Sequence, residues 1–500
     1  MSNRNLCTAA TVSCLTAALF GYSVGFIGGE IVLPSFLLHF NLDDLPPQEL
    51  ATARSWAVTA WIVGALVGVP SAMPVYVNTL LESHQQRDLS AMPSTVADTI
   101  DTGRLLNGMG VGAGTLVSPI YISEISPAPQ RGMLMSGYQV LVQLGALIGF
   151  WMAFIAQATL SDHGSLQWQI PVSLQLIAGA MLLLGTLVVP DSPRYLAAKE
   201  KYGAMEKALS WLRRLDPTDP QLVEERMEIE AAANLSNKLK EHSFFNELRK
   251  EDVRHRLTVG VGLMVAQNMV GLNALNYYAP VIFMSAGFTS VSSSLFLTGI
   301  FGVVKLVSSL AFMFKCVHVK GNRFWLELGT TVCAISMLVL GYCVSASPSP
   351  EEQHEGSITA VGIVGVLMVY VFSFFFGVSL GPISWNVCAE IFPLHINSTC
   401  CAITTCTQWA FQILIAAITP PLLATIGWAT YVIYGGFCIL SLVWIVFCVP
   451  ETRGVGVGKP MDEIFGADMA PEEEAIVEAS ETTALLVHDR RRRSSLTAYT

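Results

Sequence analysis

Charged side chains are scarce in this chain of 500 residues, since Asp, Glu, Lys and Arg together make up 13 % of it. A typical soluble protein carries about 25 %, so the composition excludes an ordinary soluble enzyme. The few charges are also unevenly placed. Residues 461–500 hold nine acidic residues and four arginines, and contribute −5 of the formal charge of −10. Because 52 % of the chain is hydrophobic, we predict that most of it lies in lipid.

Reactive groups in catalytic or metal-binding spacing are also missing. The 11 cysteines form no Cys-x-x-Cys pair, the spacing typical of many metal sites, and most of them lie in apolar segments, where a thiol acts as a small hydrophobic group. The sequence has no nucleophile–base arrangement and no glycine-rich phosphate loop. We therefore expect no enzyme activity, no cofactor and no metal. The acidic charge of the tail gives no reason to expect a nucleic-acid partner.

Long apolar runs dominate what is present. A membrane-spanning helix needs about 20 largely apolar residues, and eleven segments meet this criterion. A polar insert separates the first five from the last six. We therefore predict an all-α polytopic membrane protein with an N-terminal bundle (1–190), a cytoplasmic helical linker (191–256), a C-terminal bundle (257–450) and a cytoplasmic, largely disordered tail (451–500). The predicted spans are 9–39, 54–78, 103–123, 133–157, 168–190, 257–284, 294–317, 324–346, 358–389, 398–426 and 428–449.

The orientation of the spans follows from the basic residues, which favour the cytoplasmic side. The insert, the Arg131 turn and Arg490–Arg493 are predicted to be cytoplasmic. Five spans before the insert would place Arg4 outside, so either Arg4 is outside or one span is missing from the count. The polar residues 79–102 stand where such a span is expected. Burying their charges in lipid would cost about 2.5–3.5 kcal/mol each.

Five short motifs resemble those of one transporter family. They occur in the family's order, and the likeness covers residues 10–465. The chain resembles the sugar porter family of the major facilitator superfamily, and most of all its fungal quinate-permease-like branch. The resemblance implies twelve helices in two six-helix bundles, with the third degenerate or missing here, and a midplane substrate site that opens to each side in turn. The motifs are 119–132, 190–194, 267–278, 381–393 and 450–454.

Lys305 is the most informative single residue, because it lies deep inside an apolar run and must face a partner or an aqueous cavity. The resemblance places a substrate-contacting Asn of sugar facilitators at this position. A lysine there would attract a carboxylate, as in quinate or a sugar acid. The alternative is a structural lysine that is neutral or paired within the protein.

The resemblance also supplies further candidate residues. Amides offer both a donor and an acceptor to a polyol, but they also join helices to each other, and tryptophans in membrane helices often only pack. Candidate binding residues are Gln139, Gln143, Gln267, Asn268, Asn273, Asn276, Trp385, Gln408, Trp409 and Gln412. Candidate gate residues are Tyr277 and Tyr278 on the outer side, and Glu124, Arg131, Asp191, Arg194, Arg323 and Glu390 on the inner side.

Proton coupling is not decided by the sequence. Proton-driven members of the family carry Asp where this chain has Ser23, whereas Arg104 matches their arginine. A serine cannot cycle a proton. Glu30 follows on the same face of the first helix, and it either replaces the missing acid or lies near the outer interface. Facilitated diffusion and proton symport both remain open.

The predicted function is alternating-access transport of a small polyol, sugar or sugar acid, with quinate-like or hexuronate-like solutes favoured. A non-transporting nutrient sensor, or a defective paralogue or gene model, is the alternative. We expect a monomer whose partners are the bilayer, a small polar solute and, for a symporter, protons. The plasma membrane is favoured over a vacuolar or endosomal membrane. Weak sorting and phosphorylation patterns occur at 481–495.

Overall fold

The computed structural model describes residues 4–78, 97–239, 244–285, 288, 290–316, 319–347, 359–393, 396–453 and 464–466. The regular elements in these ranges are all helical. The side chain of Arg131, the segment 79–96 and the tail patterns at 481–495 lie outside the described residues.

The first half of the chain forms α1 (Arg4–Glu30), α2 (Pro34–His39), α3 (Pro47–Asn78), α4 (Ala97–Ile125), α5 (Ala128–Thr159) and α6 (Leu166–Thr186). The insert forms α7 (Pro193–Ala198), α8 (Tyr202–Arg213), α9 (Pro220–Leu239) and α10 (Phe244–Glu247). The second half forms α11 (Glu251–Met269), α12 (Leu272–Ser285), α13 (Val291–Ala311), a π-helical turn (Phe312–Cys316), α14 (Asn322–Ala346), α15 (Ala360–Gly377), α16 (Leu380–Glu390), α17 (Asn397–Ile426) and α18 (Ala429–Cys448).

Eleven stretches of helix within the described residues are long and apolar enough to cross a membrane. They agree with the eleven predicted spans in number and order. Three predicted spans are each divided in the structure. The first ends at Glu30 before the short α2, the sixth is divided between α11 and α12, and the ninth is divided between α15 and α16. Hydropathy does not detect these breaks, because the apolar run continues through them.

Glycines bring two helix pairs of the first half into backbone contact. A methyl group at Gly21 or Gly25 of α1 would clash with the backbone of α5. A methyl group at Gly145 or Gly149 of α5 would likewise clash with the backbone of α1. Small residues four apart allow this close approach of membrane helices. The helices α3 and α4 meet in the same way through Gly64, Gly68, Gly108 and Gly112.

The glycine contacts also fix the direction of the helices. Gly64 meets Leu105 and Gly68 meets Met109, so both sequences ascend together and α3 runs parallel to α4. Asn78 and Ala97 therefore lie at opposite ends of this pair.

The N-terminus is tied to the insert. The Asn5 side chain, near the start of α1, donates to the Trp211 carbonyl of the insert over 2.8 Å. The N-terminus consequently lies at the same end of the bundle as the insert. The described residues contain one candidate span fewer than the twelve helices that the resemblance implies.

The insert forms its own small core and is tied to the membrane bundle. Leu196, Met205, Leu209 and Leu222 are buried together. Arg213 pairs with Glu225 over 2.8 Å and donates to the Ile125 carbonyl at the end of α4 over 3.1 Å. A cation at a helix C-terminus is favourable for the helix dipole.

The two halves meet mainly along α1 with α12, α3 with α17, and α5 with α13, and α4 also contacts α17. The indole nitrogen of Trp409 in the second half donates to the Thr115 hydroxyl in the first half over 3.3 Å. Any solute that passes between the halves must therefore contact these helices.

Candidate solute-binding site

The break between α11 and α12 brings amide side chains into the centre of the molecule. Gly271 has φ +93°, which favours glycine, and a methyl group there would also lie 2.8 Å from the Tyr434 ring. Gln267 and Asn268 end the first helix, whereas Asn273 and Asn276 belong to the second. Interrupted helices near the midplane are typical of binding sites in secondary transporters.

Five buried amides form a continuous hydrogen-bonded chain. Asn276 donates to Asn273 over 3.4 Å, and Asn273 donates to Asn268 over 2.6 Å. Asn268 donates to the Gln408 side chain over 2.6 Å, and Gln408 donates to Gln412 over 3.4 Å. The chain joins α12, α11 and α17, so these predicted binding residues also hold helices together. It ends where Gln412 donates to the hydroxyl of Tyr277.

Lys305 lies at the other end of this amide chain. Its Nζ donates to Asn276 Oδ1 over 2.7 Å and lies 5.7 Å from the ring centre of Phe150 and 5.4 Å from that of Phe301. Phe150 belongs to the first half, whereas Asn276 and Phe301 belong to the second, as Lys305 does. Lys305 is only 5 % exposed, and no carboxylate in the described part of the chain pairs with it.

The predicted glutamines of α5 and α11 contribute differently to the site. Gln143 is buried and lies two turns before Phe150, whereas Gln139 is half-buried. The side-chain oxygens of Gln143 and Gln267 are buried without a hydrogen-bond partner among the described residues. Such acceptors are costly to leave unsatisfied, so a hydroxyl-bearing solute would stabilise them.

Aromatic rings fill the space between the halves. Trp409 is fully buried, and its ring centre lies 5.4 Å from that of Phe20 and 5.6 Å from that of Trp61. The predicted binding residue Trp385 lies on a cavity of about 30 Å³ between α4 and the second half. Thr115, which accepts the hydrogen bond of Trp409, lines the same cavity.

A larger cavity, of about 200 Å³, lies at the outer ends of α3, α12 and α17. Tyr278 lines it, and its hydroxyl donates to the Ala416 carbonyl over 2.9 Å. Arg54 also lines it and was not among the predicted site residues. A single basic residue next to an outward segment without Lys or Arg was the signal that could have identified it.

The position of the family's coupling Asp is neutral here. The Ser23 hydroxyl lies 3.2 Å from the Gln175 side-chain oxygen and 3.5 Å from that of Asn107. Glu30 ends α1 and is 3 % exposed. It lies within electrostatic reach of Arg104, whose guanidinium lies 5.8 Å from the Phe26 ring.

The inner gate candidates lie in two groups, one in each half. Glu124 and Asp191 both lie close to Tyr121, whose hydroxyl donates to the Pro190 carbonyl over 2.9 Å. In the insert, burial raises the pKa of Glu228, and its neighbours Glu224 and Glu225 raise it further, whereas Arg194 lowers it.

The second group lies at the inner ends of the C-terminal helices. Arg323 binds Glu327 over 2.9 Å and the Val446 carbonyl over 2.7 Å. Glu451 belongs to the motif 450–454 but was not a predicted gate residue. Its carboxylate accepts hydrogen bonds from the backbone N–H groups of Asn322 and Arg323 over 2.8 and 3.1 Å. Glu390 ends α16 and is half-buried.

Comparisons with known proteins agree with this architecture. Residues 93–464 match the family described as "Sugar (and other) transporter". The chain is 32 % identical to the quinate permease of Neurospora africana over 93 % of this chain and 89 % of that protein. The chain belongs to the sugar transporter family. A probable quinate permease of Aspergillus fumigatus is 30 % identical over 91 % of this chain and 86 % of the relative.

Solved structures show the same fold. The proton:xylose symporter XylE superposes with a TM-score of 0.72 at 23 % identity, covering 93 % of this chain and 99 % of the other. The inward-open conformation of the xylose transporter XylE from E. coli gives a TM-score of 0.69 at 23 % identity, covering 92 % of this chain and 99 % of the other. This sugar transporter family member is therefore a multi-pass membrane protein with the major facilitator fold of two six-helix bundles.

Proposed function

We propose that this transporter carries a small carboxylated polyol, quinate-like or hexuronate-like, by alternating access. The observation that carries the proposal is Lys305, which is a buried lysine between the halves with no carboxylate partner in the described part of the chain. An unpaired buried charge is costly, so a solute carboxylate would stabilise it. The names of the fungal relatives support the same solute class.

The surrounding residues suit the rest of such a solute. The unsatisfied oxygens of Gln143 and Gln267 accept hydroxyl protons, and Gln139 lies one turn from Gln143 on the same face. Asn276, at 2.7 Å from Lys305, orients the ammonium group. Tyr277 and Tyr278 close the outer side, and Trp385 lies on the inner path.

Reorientation of the two halves requires contacts that break and re-form on the inner side. We assign this role to Glu124, Asp191 and Arg194 in the first half and linker. Arg323 and Glu390 have the same role in the second half, together with Arg131, whose side chain lies outside the described residues. Exposed pairs of this kind are worth only about 0–1 kcal/mol each, so they bias the equilibrium between the two states without locking it.

Radiolabelled uptake into cells that lack their own carriers tests the proposal. The wild type is expected to take up quinate or glucuronate, and Lys305→Gln is expected to lose that uptake while reaching the membrane normally. Lys315→Gln is the matched control, because Lys315 is exposed on the same continuous helical segment. Undiminished uptake of both acids by Lys305→Gln would contradict the proposal. Binding without uptake by the wild type would instead favour the sensor.

Coupling to protons is a separate part of the proposal. Ser23 cannot carry a proton, so Glu30 near Arg104 is the acid that we assign to coupling. In a symporter, Glu30→Gln should abolish accumulation against a gradient but leave downhill exchange intact. If the wild type itself equilibrates the solute without accumulating it, the protein is a facilitator.

A further inference from the structure

The outer cavity holds a second cation without a carboxylate partner. Arg54 belongs to the second turn of α3 and lines the cavity of about 200 Å³ at the outer ends of the helices. Its Nε donates to the Ile31 carbonyl over 3.1 Å, which uses one of its five N–H donors. No other hydrogen bond and no ion pair of Arg54 is found among the described residues.

The rest of this cavity is largely apolar. Val281, Val344, Leu423 and Ala424 are among its lining residues, and Arg54 is the sole charged one within the described chain. A cation beside a low-dielectric wall acts more strongly than one in open water, and clefts with charges of one sign concentrate the opposite ion. The cavity therefore favours an anion over a neutral solute of the same size.

The outer cavity adjoins the central site through two consecutive tyrosines. Tyr278 lines the cavity, whereas Tyr277 accepts the last hydrogen bond of the amide chain that begins at Lys305. Their ring centres lie 6.4 Å apart. Ring contact and hydrogen bonds thus link Tyr278 on the outer cavity, through Tyr277 and the amide chain, to Lys305.

We propose that Arg54 forms an outer subsite that attracts the solute carboxylate before it passes the tyrosines to Lys305. This inference rests on the proposed function, because it assumes an anionic solute. Arg54 acts on capture, so it raises the rate at which dilute anions enter. Rim charges of this kind change association rates and their salt dependence more than they change the bound state.

A cysteine probe tests the electrostatics of the subsite without any solute. Ala51 lines the same cavity, so the thiol of Ala51→Cys reports on its potential. Its rate of reaction with an anionic methanethiosulfonate, divided by its rate with a cationic one, should exceed the same ratio for an isolated thiol. Arg54→Gln should lower this ratio at least about five-fold, since the two reagents respond in opposite directions to one charge. Arg54→Lys should keep the ratio. The parent chain without the added cysteine gives the background. An unchanged ratio in Ala51→Cys/Arg54→Gln would overturn the inference.

Uptake kinetics test capture itself. Arg54→Gln should raise the KM for quinate about ten-fold, leave the maximal rate within two-fold, and reduce the effect of ionic strength on uptake. Uptake of neutral myo-inositol should not change, and Leu423→Met is the uncharged control in the same cavity. Loss of quinate uptake in Lys305→Gln together with normal kinetics in Arg54→Gln would overturn the outer subsite alone. If the wild type carries no anion, the proposed function fails, and the reagent ratio still decides whether Arg54 attracts anions.

Discussion

The ammonium group of Lys305 donates to the Asn276 side-chain oxygen over 2.7 Å, between two helices of the second half. Asn276 in turn donates to Asn273. A neutral amide thus stands where a buried lysine would ordinarily meet an acid. It orients the ammonium group without supplying an opposite charge, as the proposed binding of a solute carboxylate requires.

Introducing an acid at this position should block the site. Asn276→Asp places a carboxylate beside Lys305, and the resulting internal ion pair should lower quinate uptake at least about ten-fold, because the solute must then displace a buried charge-assisted bond. Thermal stability in detergent should be retained. Asn276→Ala is the control, since it removes the amide without adding charge and should impair uptake less. Equal uptake by the wild type and Asn276→Asp would contradict the view that this charge is kept for the solute.

Two glycines of the same helix provide a matched test of bundle packing. A methyl group at Gly145 would meet the backbone of Ala18 and Tyr22, whereas one at Gly137 would meet nothing within 4 Å. Gly145→Ala should therefore lower the free energy of unfolding by about 1–3 kcal/mol through overpacking. Gly137→Ala should leave it unchanged or raise it by about 0.5–1 kcal/mol, since alanine is the better helix former. Melting curves in detergent check both, and a larger loss in Gly137→Ala would refute the assigned contact.

The helix spans follow from the sequence because hydropathy reports the transfer of each segment into lipid. The breaks at Gly271 and Ser379 do not, since they are backbone events inside uninterrupted apolar runs. Ser379 has φ −133° and ψ −102°, a conformation that composition does not reveal. The sequence places Gln139 and Gln143 one turn apart on one helix, but it does not show which amides meet across helices.

The same limit explains the missed residues. Glu451 contacts Asn322, which is 129 positions away in the chain, so no local pattern reveals the contact. Arg54 and Tyr278 line the same cavity although they are far apart in the chain, so the sequence does not connect them. Lys305 was identifiable from sequence alone, because a charge inside an apolar run is expensive wherever the helix packs.

Removing the carboxylate of Glu451 should destabilise the inner end of α14. It accepts two backbone N–H groups at the start of that helix, where negative charge is favoured by the dipole. Glu451→Ala should therefore cost about 0.5–2 kcal/mol of stability, as loss of a helix cap does. Glu327→Ala removes an exposed partner of Arg323 on the same helix and should cost no more than about 0.5 kcal/mol. Thermal unfolding of both variants gives the comparison, and the reverse ranking would show that the cap contributes little.

The parallel arrangement of α3 and α4 predicts the side of the membrane on which each terminus of these helices lies. An epitope placed before Arg4 and one placed in the turn at 215–219 should both be accessible only after permeabilisation, because Asn5 contacts Trp211 of the insert. An epitope at 161–164, in the turn between α5 and α6, should be accessible in intact cells, since that turn lies at the opposite end of the bundle. Transcript sequencing across residues 75–105 would show whether the polar segment there belongs to the expressed protein. An N-terminal epitope that is accessible in intact cells while the one at 215–219 stays protected would mean that eleven crossings are the true number and that α3 and α4 are not parallel.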